Sequence, residues 1–306
     1  MTYTGLHTQI QRNNRRSLLL LLSFPLLILV GIYAFLFFVE EGDFETINYD
    51  FIQTIPIVIA VVLVWFLIAY ASNSALIRMS TGAATLERKE NMRVYNLTEN
   101  LCMSVGMKMP NLYVINSPAL NAFASGINEK SYAVTLTTGI IETLDDRELE
   151  GVIAHELTHI RNRDVRLLII SIIFVGIFGF VVQVLFRSML YGSGRRKDSK
   201  VDGRVMLIAL VVAAIVYLLS ILFKFALSRK REYLADAGAV EMTKNPQAMA
   251  NALRKISGNH DLEVKSSDVK QMFIANYAKA NANSGISGMF ATHPPIEKRI
   301  AFLEQM

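Results

Sequence analysis

The chain contains a single cysteine, Cys102, in 306 residues. That excludes an internal disulfide framework and any zinc site built on cysteines. A disulfide-free chain suits a water-exposed part that works in a reducing compartment. Histidine is also scarce, five in all, so any imidazole-based site draws on a small set. No RNA- or DNA-binding motif accompanies the net charge of +5. The basic residues instead lie mostly beside hydrophobic segments, where Lys and Arg set topology and meet anionic lipid headgroups. Apolar residues are plentiful: they make up 52% of the chain, and mean hydropathy is +0.35, too oily for an ordinary cytosolic domain. Charged residues still reach 19%, so a substantial part faces water.

The apolar excess is concentrated in four stretches. Ser17 to Val39 is an uninterrupted run without charge, long enough to cross a bilayer as a helix. It follows Arg12, Arg15 and Arg16, but its length and the lack of a small-x-small site mark a retained anchor rather than a signal peptide. The second stretch is Ile55 to Ile77. The loop between them holds Glu40, Glu41, Asp43, Glu45 and Asp50 and no Lys or Arg, whereas Arg78, Arg88, Lys89 and Arg93 follow the second. The positive-inside rule puts the N-terminus and the region after Ile77 in the cytoplasm. Leu167 to Phe186 and Val205 to Leu227 are the third and fourth stretches. The loop between these two is basic, so a full crossing sets it against the rule. Three readings stand: both cross, they form a hairpin entering the bilayer partway, or they are core helices of the polar domain. In each case a hairpin returns the chain to the side it left.

The polar region from Ser80 to Arg166 has helical spacing over Ala83 to Val105, with Leu86, Val94, Leu97 and Leu101 on one side. Two strand-like runs follow, Asn111 to Ile115 and Tyr132 to Thr137. Asp145 or Asp146 caps a helix running into His155 to Arg163. Asn245 and Pro246 open another helix through Leu253 and Ile256, and a last one carries Ile296, Ile300 and Leu303. Helices with a small sheet predict an α+β domain, mostly helical, alongside four hydrophobic helices. The expected domains are a two-helix anchor over 1–79, a discontinuous catalytic domain over 80–166 and 228–306, and an inserted hydrophobic hairpin over 167–227.

His155-Glu-Leu-Thr-His159 has the H-E-x-x-H pattern. Residues four apart lie one turn up the same helical face, so two imidazoles converge on one ion. Glu156 points to the adjacent face, where it can take a proton from water acidified by zinc. An open catalytic site wants a third protein ligand. The candidate is Glu232, with Asp236 one turn on to orient an imidazole from behind. On spacing alone a solvated face beside Arg229 to Arg231 remains the alternative.

His155-Glu156-x-x-His159, Glu232-x-x-x-Asp236 and His293-Pro294-Pro295 with Arg299, preceded by Asn121-Ala122-Phe123 and Gly126, resemble the HtpX-type membrane zinc metallopeptidases. These are relatives of the CaaX prenyl endopeptidases. The resemblance implies a gluzincin-like catalytic domain and one zinc ion per chain bound by His155, His159 and Glu232. It also implies Glu156 as general base and His293 as the oxyanion-stabilising group. Asn121, Ala122, Phe123 and Gly126 would border an edge where substrate lies extended. On spacing alone His293 is equally a surface residue, Phe123 a core residue and Arg299 a structural ion pair. The function implied is endopeptidase action on misfolded or damaged membrane proteins, in stress response and quality control, at the bacterial inner membrane with a cytoplasmic active site. The expected partners are the lipid bilayer and unfolded substrates, with no nucleic acid. A non-enzymatic holdase that binds unfolded segments is the competing class. A site-2-type intramembrane protease is disfavoured because the H-E-x-x-H helix is polar and no later Leu-Asp-Gly ligand appears. Prenyl-protein processing is disfavoured by the small number of hydrophobic segments.

Overall fold

The computed structural model describes residues 6–191, 203–226, 229–258, 274 and 294–306. In chain order the elements are α1 (Leu6–Val39), α2 (Phe44–Thr81), β1 (Ala84–Thr85), α3 (Met92–Ser104), β2 (Asn111–Ile115), β3 (Ala122–Ser125) and β4 (Ala133–Thr137). Then come α4 (Thr138–Thr143), α5 (Asp146–Arg161), α6 (Asp164–Tyr191), α7 (Gly203–Ala226), α8 (Arg229–Thr243), α9 (Pro246–Gly258) and α10 (Ile296–Leu303). The fold is α+β and mostly helical. The chain divides into two compact units, one of residues up to Asn14 with Ser72–Ile169 and Phe225–Met306, the other of Arg15–Ala71 and Ile170–Lys224.

Apart from the turn at 40–43, the described residues of the second unit are helical. α1, α2, α6 and α7 are each long and apolar enough to cross a membrane. Large apolar side chains cover the outside of this unit: Leu18, Leu22, Leu26, Ile57, Val61 and Ile68 are each more than half exposed. Such a surface is unfavourable in water and suited to lipid. Inward, Phe24 stacks on Phe174 with centroids 4.4 Å apart. Gly31 brings α1 close to α7, since a Cβ there would lie 3.1 Å from Val216 Cγ2, the small-residue contact that membrane helices use. Pro25 and Pro56 lie inside α1 and α2, as lipid-embedded helices tolerate. Against the reading of 167–186 and 205–227 as core helices of the polar domain, the described residues from Ile170 to Lys224 cluster with α1 and α2.

The first unit holds the sheet, in the order β1-β2-β4-β3. β2 and β4 run parallel, Asn111 opposite Ala133, and β3 runs antiparallel to β4, Ala122 opposite Leu136. The helix expected over Ala83 to Val105 is a correction. Ala84 and Thr85 instead pair antiparallel with Val114 and Tyr113, and the Leu86 amide donates to Leu112 O at 3.0 Å. The helix begins only at Met92, where the Asn91 side chain accepts from the Val94 amide at 3.0 Å. Leu86 matched the helical stripe by register, but the unpaired edge of β2 satisfies its backbone better than a helix would. At α5 the choice between two caps falls to Asp145. Its carboxylate accepts from the Glu148 amide at 2.9 Å, while Glu148 accepts from the Asp145 amide at 3.0 Å, a reciprocal capping box. Asn245 likewise caps α9 through the Ala248 amide at 3.0 Å.

Candidate metal centre

Two helices supply the site. α5 carries His155 and Glu156, both buried, and the partly accessible His159, and α8 carries Glu232 and Asp236 one turn apart. The helices meet where Gly238 faces Thr158. A Cβ on Gly238 would lie 2.4 Å from Thr158 Cγ2, and that methyl belongs to a short, stiff side chain beside His159. Gly238→Ala is therefore expected to push α8 off α5. It should lower stability by about 1–3 kcal/mol and weaken zinc binding, read by thermal unfolding and by chelator competition. An unchanged melt would show that the two helices yield freely at this contact.

The imidazoles sit with centroids 4.7 Å apart and planes at 89°. Each turns Nε2 toward Glu232: His155 Nε2 is 3.7 Å from Glu232 Oε2, and His159 Nε2 is 3.5 Å from Oε1. Each also rests its Nδ1 on a carboxylate. Asp236 Oδ1 is 3.0 Å from His155 Nδ1, and Asp164 Oδ2 is 3.2 Å from His159 Nδ1. A carboxylate at Nδ1 holds the proton there and leaves Nε2 as the free donor to a metal. His155, Glu156, Glu232 and Asp236 are all buried, and His159 is partly accessible.

Arg299, fully buried, completes the network from α10. It grips Asp236 with two nitrogens, Nε to Oδ2 at 2.9 Å and Nη2 to Oδ1 at 2.7 Å, and donates through Nη1 to Ile274 O at 3.0 Å. Nη1 also lies 3.5 Å from Glu232 Oε2. Burial opposes charge on Asp236, but the guanidinium outweighs it and holds the carboxyl below its usual range. Burial likewise pulls His155 down, and the contacts with Asp236 and Glu232 outweigh it, leaving its pKa raised to about 9. For Glu156 burial prevails over the nearby imidazoles, and its pKa is raised.

His155, His159 and Glu232 offer two imidazole nitrogens and a carboxylate oxygen, all within 4.8 Å of one another. That donor set fits zinc in a catalytic rather than a purely structural site. Glu156 follows His155 directly, and its carboxylate accepts from the Ala124 amide on β3. β3 forms the outer edge of the sheet. Its Ala122 carbonyl accepts from the Ile274 amide at 2.9 Å, so the chain's own residue meets part of that edge. Asn121 is buried, its backbone amide donating to Thr137 Oγ1 at 3.1 Å and its side-chain Oδ1 accepting from the Ala122 amide at 2.9 Å. Phe123 is buried in the core. Gly126 has φ +98° and approaches Ser131 O so closely that a Cβ would stand 2.2 Å from it, so the turn out of β3 requires glycine. His293 lies outside the described residues. Two features escaped sequence reasoning. Asp164 follows a residue with positive φ, Arg163 at 60°, so helical spacing from His159 does not reach it. Arg299 gave only a motif match, with no sign that it would sit between α8 and residue 274.

A paired-histidine helix, a glutamate from a second helix and a carboxylate behind each imidazole have the form of a zinc metallopeptidase centre. The comparisons agree. The profile of peptidase family M48 matches residues 88–306. The chain is 57% identical to a protease HtpX homolog of Bacteroides fragilis, over 100% of both chains. It is 36% identical to a protease HtpX homolog of Dictyoglomus thermophilum, over 97% of this chain and 93% of that one. It is 35% identical to another from Ligilactobacillus salivarius, over 98% and 100%. The chain therefore belongs to peptidase family M48, as a multi-pass membrane zinc metallopeptidase of the HtpX type. Among solved structures, the Ste24p of S. mikatae shares the fold with a TM-score of 0.51 at 19% identity, covering 90% of this chain and 61% of that one.

Proposed function

We propose that His155, His159 and Glu232 hold the zinc ion, that Glu156 is the general base, and that the enzyme cleaves misfolded or damaged membrane proteins from the cytoplasmic face of the inner membrane. The observation that carries the metal assignment is the shared orientation of the two imidazoles. Both Nε2 atoms face one carboxylate, Glu232, and each Nδ1 is held from behind by a carboxylate of its own. Zinc held by these three residues would supply Lewis acidity, to polarise a carbonyl and acidify water. Asp236 and Asp164 fix the tautomer and direction of the ligating rings. Glu156, buried and steadied by the Ala124 amide, takes the proton from attacking water and returns it to the departing amine. We place an extended peptide along the part of the β3 edge that Ile274 leaves open, because backbone groups on a strand edge pair with any sequence. Binding without regard to sequence suits unfolded substrates.

The chemical test is cleavage of an unfolded reporter protein by enzyme purified without added metal, before and after zinc. No zinc dependence would remove the metal assignment. Sidedness rests on the acidic α1–α2 turn and the basic residues after α2. Glu41→Cys is expected to react with a membrane-impermeant maleimide in cells whose inner membrane is intact. Glu87→Cys, just beyond β1, should react only after lysis. The native Cys102 does not interfere, since burial pushes its thiol up to about 11 and keeps it in the unreactive form. The opposite labelling pattern would put the active site outside.

A further inference from the structure

We infer that Asn13, in the polar head of α1, is a positioning residue of the metal centre, acting on His159 through Asp164. The inference rests on the proposed role of His159 as a ligand. The first turns of α1 belong to the same compact unit as α5 and α8. Along them Gln11 and Arg12 are exposed while Asn13 is 5% exposed. Burying an amide there is costly unless it is satisfied, and it is. Asn13 Nδ2 donates to Asn162 O at 2.8 Å and to Asp164 Oδ1 at 2.8 Å. Both partners are acceptors, so the NH2 side of the amide must face them, which settles its orientation.

Asp164 is thereby held at both oxygens. Oδ1 accepts from Asn13, and Oδ2 meets His159 Nδ1 at 3.2 Å. Its backbone carbonyl accepts from Arg231 Nη1 at 3.3 Å. The neighbouring Asn14 makes a separate contact, its Oδ1 accepting from Arg163 Nη1 at 2.9 Å. A carboxylate fixed at one oxygen only can swing about its bond to Cβ. One fixed at both sets the plane in which the imidazole must lie. His155 receives the same service from Asp236, whose two oxygens are gripped by Arg299. Asn13 thus stands to His159 as Arg299 stands to His155, with a neutral amide in place of a guanidinium. The N-terminal helix is part of the metal centre as well as an anchor, and removing it would loosen one zinc ligand.

The test uses the full-length protein in detergent. Asn13→Ala is expected to weaken zinc affinity by about 10-fold in chelator competition, the low end of the range for groups that touch metal-bound histidines directly, because Asn13 acts one contact further out. It should also shift the visible absorption bands of the cobalt-substituted protein. Asn13→Asp keeps the shape but sets an acceptor against two acceptors, so it is expected to lose at least as much. Being isosteric, it also serves if the alanine variant does not fold, as judged by thermal unfolding of the metal-free proteins. Asn14→Ala removes the neighbouring contact without touching Asp164 and is expected to bind zinc within about threefold of the parent. Zinc affinity within about twofold of the parent for both Asn13 variants, with unchanged cobalt bands, would overturn the inference. So would an equal loss in Asn14→Ala, because docking of the helix rather than the Asp164 contact would then set the site. A parent that binds no zinc would overturn the metal centre itself, and this inference with it.

Discussion

Replacing Glu156 with Gln is expected to lower hydrolysis of an unfolded reporter by about 10²–10⁴-fold, the usual contribution of a positioned general base, while zinc content stays at the level of the parent. The reasoning lies in what the exchange keeps and what it removes. Glutamine has the same shape, fits the same buried position between His155 and β3, and can still accept from the Ala124 amide. It cannot take up a proton. Glu156 is not among the residues whose donor atoms cluster for a metal, so its loss should leave binding intact. Equal cleavage by the two proteins would remove Glu156 from the mechanism and favour a binding protein that holds unfolded segments without cutting them. Loss of zinc along with activity would instead mean that Glu156 acts as a ligand.

The second large effect concerns Arg299. Replacing it with Met is expected to lower stability by about 3–5 kcal/mol, because a buried carboxylate is left without its counter-charge. Asp236 is fully buried, and Arg299 supplies both of its close guanidinium contacts. Methionine fills much of the volume but donates nothing to Asp236 or to the Ile274 carbonyl. Arg299→Lys restores the charge but not the planar fork, so an intermediate loss is expected. For comparison, the exposed pair of Arg88 and Glu99, 58% and 39% accessible at the side chain, is worth at most about 1 kcal/mol. Thermal unfolding of the detergent-solubilised protein reads all three, and zinc affinity should fall with Arg299 because Asp236 no longer holds His155. A melt for Arg299→Met indistinguishable from the parent would show that Asp236 finds its compensation elsewhere.

Much of the architecture is written locally. β2 occupies Asn111–Ile115, where aromatic and β-branched content put it, and α9 starts beside the Asn245 cap. The long apolar runs become helices because nothing else satisfies a backbone in lipid. α1 nevertheless starts at Leu6, well before its apolar run, and that polar head is where Asn13 lies. The departure at Ala83 to Val105 shows the limit of periodicity. A stripe at helical spacing competes with pairing to a strand far away in sequence, and the stripe carries no information about that partner.

The opening scarcity of cysteine and histidine fixed the type of site that this chain can build. With one thiol and five imidazoles, a metal centre had to come from histidine and carboxylate, and the four-residue spacing in His155-Glu156-Leu157-Thr158-His159 placed two of its donors on one helical face. Spacing within a helix is a local geometric fact, so the sequence alone determined it. The carboxylate behind each imidazole was decided elsewhere. Asp164 reaches His159 across a turn with positive φ, and Arg299 and Asn13 come from opposite ends of the chain to hold Asp236 and Asp164. Those contacts depend on where helices end and how closely they approach, as at Gly238 against Thr158. Only the packed tertiary structure sets these distances, because no backbone rule links residues so far apart.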